Sequence, residues 1–336
     1  MIMLSEQPYA AVFGPEARAS YLAHTLERRG TLLVRYDAVA HGGLADELAL
    51  LSGQGPTGET SANCPTYGDI APATPAADGQ ILGNGCVYPS ATKTLADQLS
   101  AGHRSWRAYV QGLGEAGQAA ACAHPQAGQA DPSAAPGAGG SPYATFRNPF
   151  VYFHSLTDSS ACASNDLGLG ALRGDLLSAK RTPSFSYIVP DRCHDGNPTP
   201  CSPGAPAGMA PADAFLAQVV PQILAAKAYK QNGLLVITVD QAPASGEFAD
   251  SSSCCSQPSY PNLPAGEAGA GHGGGTVGAL LLSPFLKGAV TSQETYNHFS
   301  LLRTIEDLFK LKHLGYAALP AVKPLEAALF SATKHG

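Results

Sequence analysis

The segment GLLVITVDQ, residues 233–241, limits what this chain can fold into more than any other stretch. Six apolar or β-branched residues, 234–239, run without a break and end in Asp240. An uninterrupted apolar run of strand length belongs to a strand covered on both faces, the signature of a parallel sheet between helix layers. A polar residue at the carboxyl end of such a strand stands where open α/β sheets build their sites. Asp240 is therefore expected to line a functional crevice, against the plainer role of a turn or capping acid. Gln241, an amide, follows it.

The rest of the sequence repeats the rhythm. Residues 31–39, TLLVRYDAV, read as a strand and its exit, and residues 44–51 as a helix with Leu44, Leu48 and Leu51 on one face. Further strands are expected at 105–110, 150–153, 184–189 and 277–282, and further helices at 92–101, 211–230 and 297–309. Pro211 at the start of its helix is well placed. Strands alternating with helices, with long loops after the strands, give an α/β fold with a mostly parallel sheet sandwiched by helices. One domain is expected over residues 1–330, with a flexible insertion at about 112–141 that is rich in Ala, Gly, Gln and Pro.

Composition narrows the partners. Charged residues are only 14% of the 336, and the net charge is -6. Nucleic-acid backbones are bound by clustered Lys and Arg, so that class is excluded. No apolar run approaches the ~20 residues that span a bilayer. Eight cysteines lie in loop-like sequence with no CxxC spacing, which argues against a structural zinc and for an oxidised, exported protein, secreted or at the cell surface. Cys64 is expected to pair with Cys86, Cys122 with Cys162 and Cys193 with Cys201, each bridge closing a polar loop. Cys254 and Cys255 are adjacent, and the sequence leaves them free, vicinally bridged or bonded elsewhere. The chain opens MIMLSEQPY without a signal peptide, and residues 2–4 read as the end of a strand that has been cut into.

Several segments together resemble the bacterial phosphoesterase family of acid phosphatases and phospholipases C, on the alkaline-phosphatase-like fold. They are NPFVYFHSLTD at 148–158, PDRCHDG at 190–196, LLVITVD at 234–240 and the long run 271–309 that begins GHGGGTVGALLLSPF. The resemblance spans nearly the whole chain in the right order. It implies metal-assisted attack on phosphorus by a Ser or Thr at a strand-to-helix turn. It also implies metal ligands from a Glu-Asn pair after the first strand and an Asp-Glu pair after a later one.

This sequence departs from the family at each of those places. In HGGLADELALLSG, residues 41–53, His41 is kept but the nucleophile slot falls on Gly43, which has no side chain. Ser5 and Glu6 stand where Glu-Asn is expected, and a one-residue shift would still let Glu6 serve as an acid. The Asp-Glu pair reads Asp240-Gln241, and Asn197 takes a place where the family often has His. Hard divalent cations depend on carboxylate charge, so a metal set of Asp240, Gln241 and Glu6 is weakened. His41, Asp191, His194, Asp195, His272 and His298 remain to form a polar cleft. His272 lies in a Gly-rich stretch that suits either close approach to a ligand or a solvated loop. His298 follows a candidate N-cap, Asn297, and suits either a structural or an active-site role. Glu247 could replace the lost acid, or simply be solvated.

The expectation is a family member with degenerate motifs, inactive or weakly active, binding a small phosphate ester or a protein partner in the old cleft. The alternative is an active phosphate-ester hydrolase with a remodelled site and a divalent metal. A weaker one is an adhesive module that uses only the scaffold.

Overall fold

A computed structural model describes residues 1–14, 17, 20–115, 119–134, 142–264, 272–286, 288–326 and 329. Its central sheet contains eight strands: β1 (Ile2–Leu4), β2 (Thr31–Asp37), β3 (Trp106–Val110), β4 (Asp166–Gly168), β5 (Phe185–Val189), β6 (Leu235–Val239), β7 (Ala279–Leu282) and β8 (Val290–Asn297). Their spatial order is β8-β2-β7-β6-β1-β5-β3-β4. The apolar run 234–239 supplies β6, and all five of its residues are buried. It pairs in parallel with β1, Ile2 opposite Ile237 and Leu4 opposite Val239. Among the described strands of this sheet, β7 alone runs against its neighbours, β6 and β2. The parallel sheet expected from the sequence is therefore present, and so is the strand at residues 2–4.

The helices include α1 (Gly43–Ser52), α2 (Leu95–Ala101), α3 (Met209–Ala225) and α4 (His298–Phe309). Leu44, Leu48 and Leu51 of α1 are buried as expected, but so is every other residue of that helix. It ends at Gly53, whose φ of 70° permits the left-handed cap that a side chain would resist. Helix α2 starts on a reciprocal Thr94–Asp97 capping box. In α4, the Asn297 side chain accepts from the Ser300 N–H, the N-cap role that its position suggested.

Two elements differ from expectation. Residues 150–153 are not a strand, because Pro149–Tyr152 forms a 3-10 turn with proline at its start. The fixed φ of Pro149 favours the turn. Phe150 then stacks on Trp106 at 5.1 Å and Phe153 on Tyr88 at 5.1 Å. The helix expected over 211–230 begins at Met209 and breaks at Ala226, whose ψ of 143° is extended, before a short helix Lys227–Asn232. Two edge strands, β4 and β8, carry too little apolar patterning to announce themselves.

The three expected disulfides are present, and Cys254 bonds to its neighbour Cys255. Of the insertion at 112–141, residues 116–118 and 135–141 lie outside the described residues. Its described part is tied down by Cys122–Cys162 and by pairing of Gln129–Ala130 with Thr66–Tyr67.

Candidate functional site

The carboxyl ends of β1 and β6 lie side by side, and the site is built on them. Asp240 leaves β6 fully buried. Its backbone N–H donates to the Leu4 carbonyl at 2.9 Å. Its Oδ1 accepts the backbone N–H of Glu6 at 2.8 Å and of Gln241 at 2.6 Å. Its Oδ2 accepts from Arg147 Nη1 at 2.6 Å. So the carboxylate is fixed at both oxygens, one by backbone and one by a guanidinium.

Arg147 stands just before the Pro149–Tyr152 turn and is only 1% exposed. Its Nη1 also donates to Glu47 Oε1 of α1. Its Nη2 donates to the Met3 carbonyl of β1 at 3.2 Å, and its Nε lies 3.5 Å from Asp195 Oδ2. Three buried carboxyls thus surround one buried cation. Burial pushes Glu47 up to about 8 and Asp195 up to about 7, against the pull of Arg147. It raises Asp240 too, again opposed by Arg147. Removing charge from water is costly, and the excess of acid over base is met by holding protons.

Gly43, the first residue of α1, faces this cluster. A Cβ there would meet Asp240 Oδ2 well inside the 3.0 Å that real Cβ atoms keep, and would lie 3.7 Å from Arg147 Nη1. The Asp240 oxygen cannot easily yield, because Arg147 holds it. A side chain at Gly43 would therefore have to displace the Asp240 carboxylate from Arg147. Beside it, Gln241 turns its Oε1 to the Gly42 N–H at 2.5 Å. The amide ties the turn that precedes α1.

The other expected residues are distributed around this floor. Glu6, half-buried, accepts from Asn197 Nδ2 at 2.8 Å, and burial followed by Asp240 raises its pKa. His41, half-buried, places Nε2 2.9 Å from Ser251 Oγ, and burial lowers its pKa. Asp195 accepts the Ser5 N–H on its carbonyl at 2.7 Å. Asp191 joins His194 Nδ1 at 2.7 Å, and the His194 ring lies near Phe215. His298 is fully buried beneath the site: Nε2 meets the Asp240 carbonyl at 2.8 Å and Nδ1 the Tyr36 hydroxyl at 2.9 Å. Burial lowers its pKa to about 4, so it is neutral. His272 is exposed, with its carbonyl accepting from Gln257, and Glu247 is exposed.

Two central residues, Glu47 and Arg147, were missed by sequence reasoning. Glu47 had a signal: it shares the helix face of Leu44, Leu48 and Leu51, and a carboxylate on such a face needs a buried cation. Arg147, set against the apolar NPFVYF, was the matching charge.

A divalent metal does not fit these residues. The carboxylates that would take it are turned onto Arg147, and a second cation beside a buried guanidinium would be repelled. Among the described residues, Cys122, Cys162 and Asp166 alone bring three potential ligand atoms within 4.8 Å, and those two sulfurs are joined in a disulfide. What remains at the site is hydrogen bonding and charge, with the partly exposed Glu6, Asn197 and His41 and the exposed Ser251 as its more accessible polar groups.

A mostly parallel sheet with polar groups gathered at its strand ends, beside a strand-to-helix turn, is an open α/β architecture of the kind that builds ligand sites there. The phosphoesterase family model matches residues 13–312, and the chain belongs to the phosphoesterase family. No curated protein matches it in sequence. In structure it is similar to a protein of the alkaline phosphatase superfamily from Vibrio parahaemolyticus, at 11% identity and TM-score 0.53, covering 98% of this chain and 70% of that one. It is similar to a phosphonate monoester hydrolase from Silicibacter pomeroyi at 12% identity and TM-score 0.50, covering 100% and 77%. Murine ectonucleotide pyrophosphatase/phosphodiesterase 5 is similar at 10% identity and TM-score 0.50, covering 93% and 95%. At these identities the likeness is one of fold.

Proposed function

We propose that this chain is an exported phosphoesterase-family protein, one α/β domain over about residues 1–330, that has left metal-assisted hydrolysis and binds a ligand in the old cleft. The observation that carries this reading is Gly43 against Asp240: the residue read as the nucleophile's has no side chain, and one built there would have to push aside the Asp240 carboxylate that Arg147 holds. Gln241 in place of an acid and the guanidinium of Arg147 among the carboxylates support it. Export is supported by the eight cysteines, all disulfide-bonded. Among the described residues no helix is long and apolar enough to cross a membrane. The ligand reading follows from the family: a small phosphate ester, or a protein partner, seated over Glu6, Asn197 and His41.

Family membership favours a second reading, an active phosphate-ester hydrolase with a remodelled site. One assay separates the two. The purified chain is offered an aryl phosphate and an aryl phosphodiester with Mg, Mn, Ca or Zn added. Turnover at background is expected with every metal. Metal-dependent turnover that disappears in Asp240→Ala would establish the hydrolase and end the binding-protein reading.

A further inference from the structure

The bond between Cys254 and Cys255 differs in kind from the other three. Cys64–Cys86, Cys122–Cys162 and Cys193–Cys201 join residues 22, 40 and 8 apart in sequence. Such bonds stabilise chiefly by closing a loop in the unfolded chain. Cys254 and Cys255 are neighbours, so their bond closes none, and its effect is local. The Gln257 N–H donates to the Cys254 carbonyl at 3.1 Å, and the two residues inside that turn have positive φ, 65° at Cys255 and 54° at Ser256. Turns with two such positions are built from Gly, Asn or Asp, because other side chains resist them. Here the ring closed by the sulfurs holds the turn instead. Both cysteines are half-buried and rest on β8: Cys254 Sγ lies 3.1 Å from the Tyr296 carbonyl and Cys255 Sγ 3.5 Å from that of Thr295. The next residues, Asn297 and His298, start α4 beneath Asp240. On the other side, Ser251 of the same loop places Oγ 2.9 Å from His41 Nε2.

We propose that Cys254–Cys255 is a thiol–disulfide exchange site, opened by an external dithiol, and that its opening releases the loop that shields His41 at the cleft. A thiolate of the dithiol attacks one sulfur and displaces the other as a thiolate. The reductant's second thiolate then closes its own disulfide and frees the first sulfur. Two electrons pass to the protein, and its two new thiolates take up the two protons that the dithiol gave up. Each new S–H has a carbonyl within reach, Tyr296 or Thr295, so the reduced pair has acceptors. The turn loses the ring that held Cys255 at positive φ and relaxes, and Ser251 leaves His41. Exchange needs access to the sulfur. Each of the other bridges has at least one buried cysteine, so the adjacent pair reacts first. As regulation of that cleft, this rests on the binding-protein reading. Its test reads sulfur chemistry and the exposure of His41, not ligand or turnover, so either can fail alone.

The unmodified chain is treated with graded dithiothreitol, alkylated with iodoacetamide and mapped by peptide mass. The first step should label Cys254 and Cys255 alone, with the other six of the eight cysteines still joined. Label appearing first at another pair, or at all the cysteines together, would overturn the proposal. His41 is then modified with diethyl pyrocarbonate, the exposed His103 serving as reference. Reduction should raise the His41 rate several-fold relative to His103. Cys254→Ser with Cys255→Ser should give the same rise without reductant, and should melt within a few degrees of the unmodified chain, because no loop is opened. Cys254→Ser with Cys255→Gly should bring His41 back toward the shielded rate, since glycine adopts positive φ unaided. If the serine pair does not fold, the reduced unmodified chain reads the same comparison. A His41 rate indifferent to the state of the two sulfurs would sink the idea.

Discussion

At the scale of single residues, the site turns on who occupies the space next to Asp240. The sequence reads Gly43 where a nucleophile is expected and an amide, Gln241, where an acid is expected. It could not say that Asp240 Oδ2 lies where a Gly43 Cβ would go, because the Arg147 that holds it lies 93 residues away in sequence. Long-range ion pairs leave no local pattern. That is why Gly43 stood out in the sequence and the Arg147–Asp240 pair beside it did not. The consequence is testable. Gly43→Ser places a side chain against a carboxylate that Arg147 holds, an overpacking that typically costs about 1–3 kcal/mol. It should lower the urea midpoint and give no turnover. Adding Gln241→Glu should give none either, since Arg147 still holds the acids. Aryl-phosphate hydrolysis by Gly43→Ser alone would show that the slot has room after all.

At the scale of elements, legibility followed the strength of the apolar pattern. The fully buried β6 and β7 were plain from sequence, because a strand covered on both faces is apolar at every position. The edge strand β8, VTSQETYN, was hidden because half-exposed edges mix polar and apolar residues. Residues 150–153 were misread as a strand because their aromatic content overrode Pro149, which in fact sets the turn. Helix α4 was readable at its start through Asn297. That helix carries His298 beneath Asp240, so its first turn supports the site floor. Asn297→Ala removes the acceptor for the Ser300 N–H and should cost about 1 kcal/mol. Urea unfolding should show this as a lower midpoint at unchanged slope. A cost near zero would mean that the pairing of Asn297 with Asp37 across β8 and β2, rather than the cap, fixes the helix start.

At the scale of the whole molecule, buried acids set how stability depends on pH: Glu47 and Asp195 beside Arg147, and two more outside that cluster. Burial pushes Asp166 up to about 7, although Asn148 and the Cys122 N–H donate to it. Burial pushes Glu306 up to about 8, with the Leu314 N–H as its main opposing contact. In the unfolded chain both titrate near pH 4. From about pH 4 upward the native state therefore holds protons that the unfolded state has released, and stability falls as pH rises toward the folded values. His298 acts in the opposite sense at lower pH. It is held neutral down to about 4, whereas unfolded histidine titrates near 6.5, so its effect is a rise in stability between those values. Above about pH 6.5 His298 is neutral in both states, and the carboxyls are opposed only by the buried Met1 amine, lowered to about 5, whose unfolded form keeps its proton to about 8. The several raised acids outweigh that one group. The urea midpoint should then fall between pH 6.5 and 8. The slope should be about 1.4 kcal/mol per pH unit for each acid still protonated. Glu306→Gln should flatten the upper part of that fall and Asp166→Asn the lower part. A midpoint that rises from pH 6.5 to 8 would mean that these acids are ionised in the native protein, with partners strong enough to outweigh their burial.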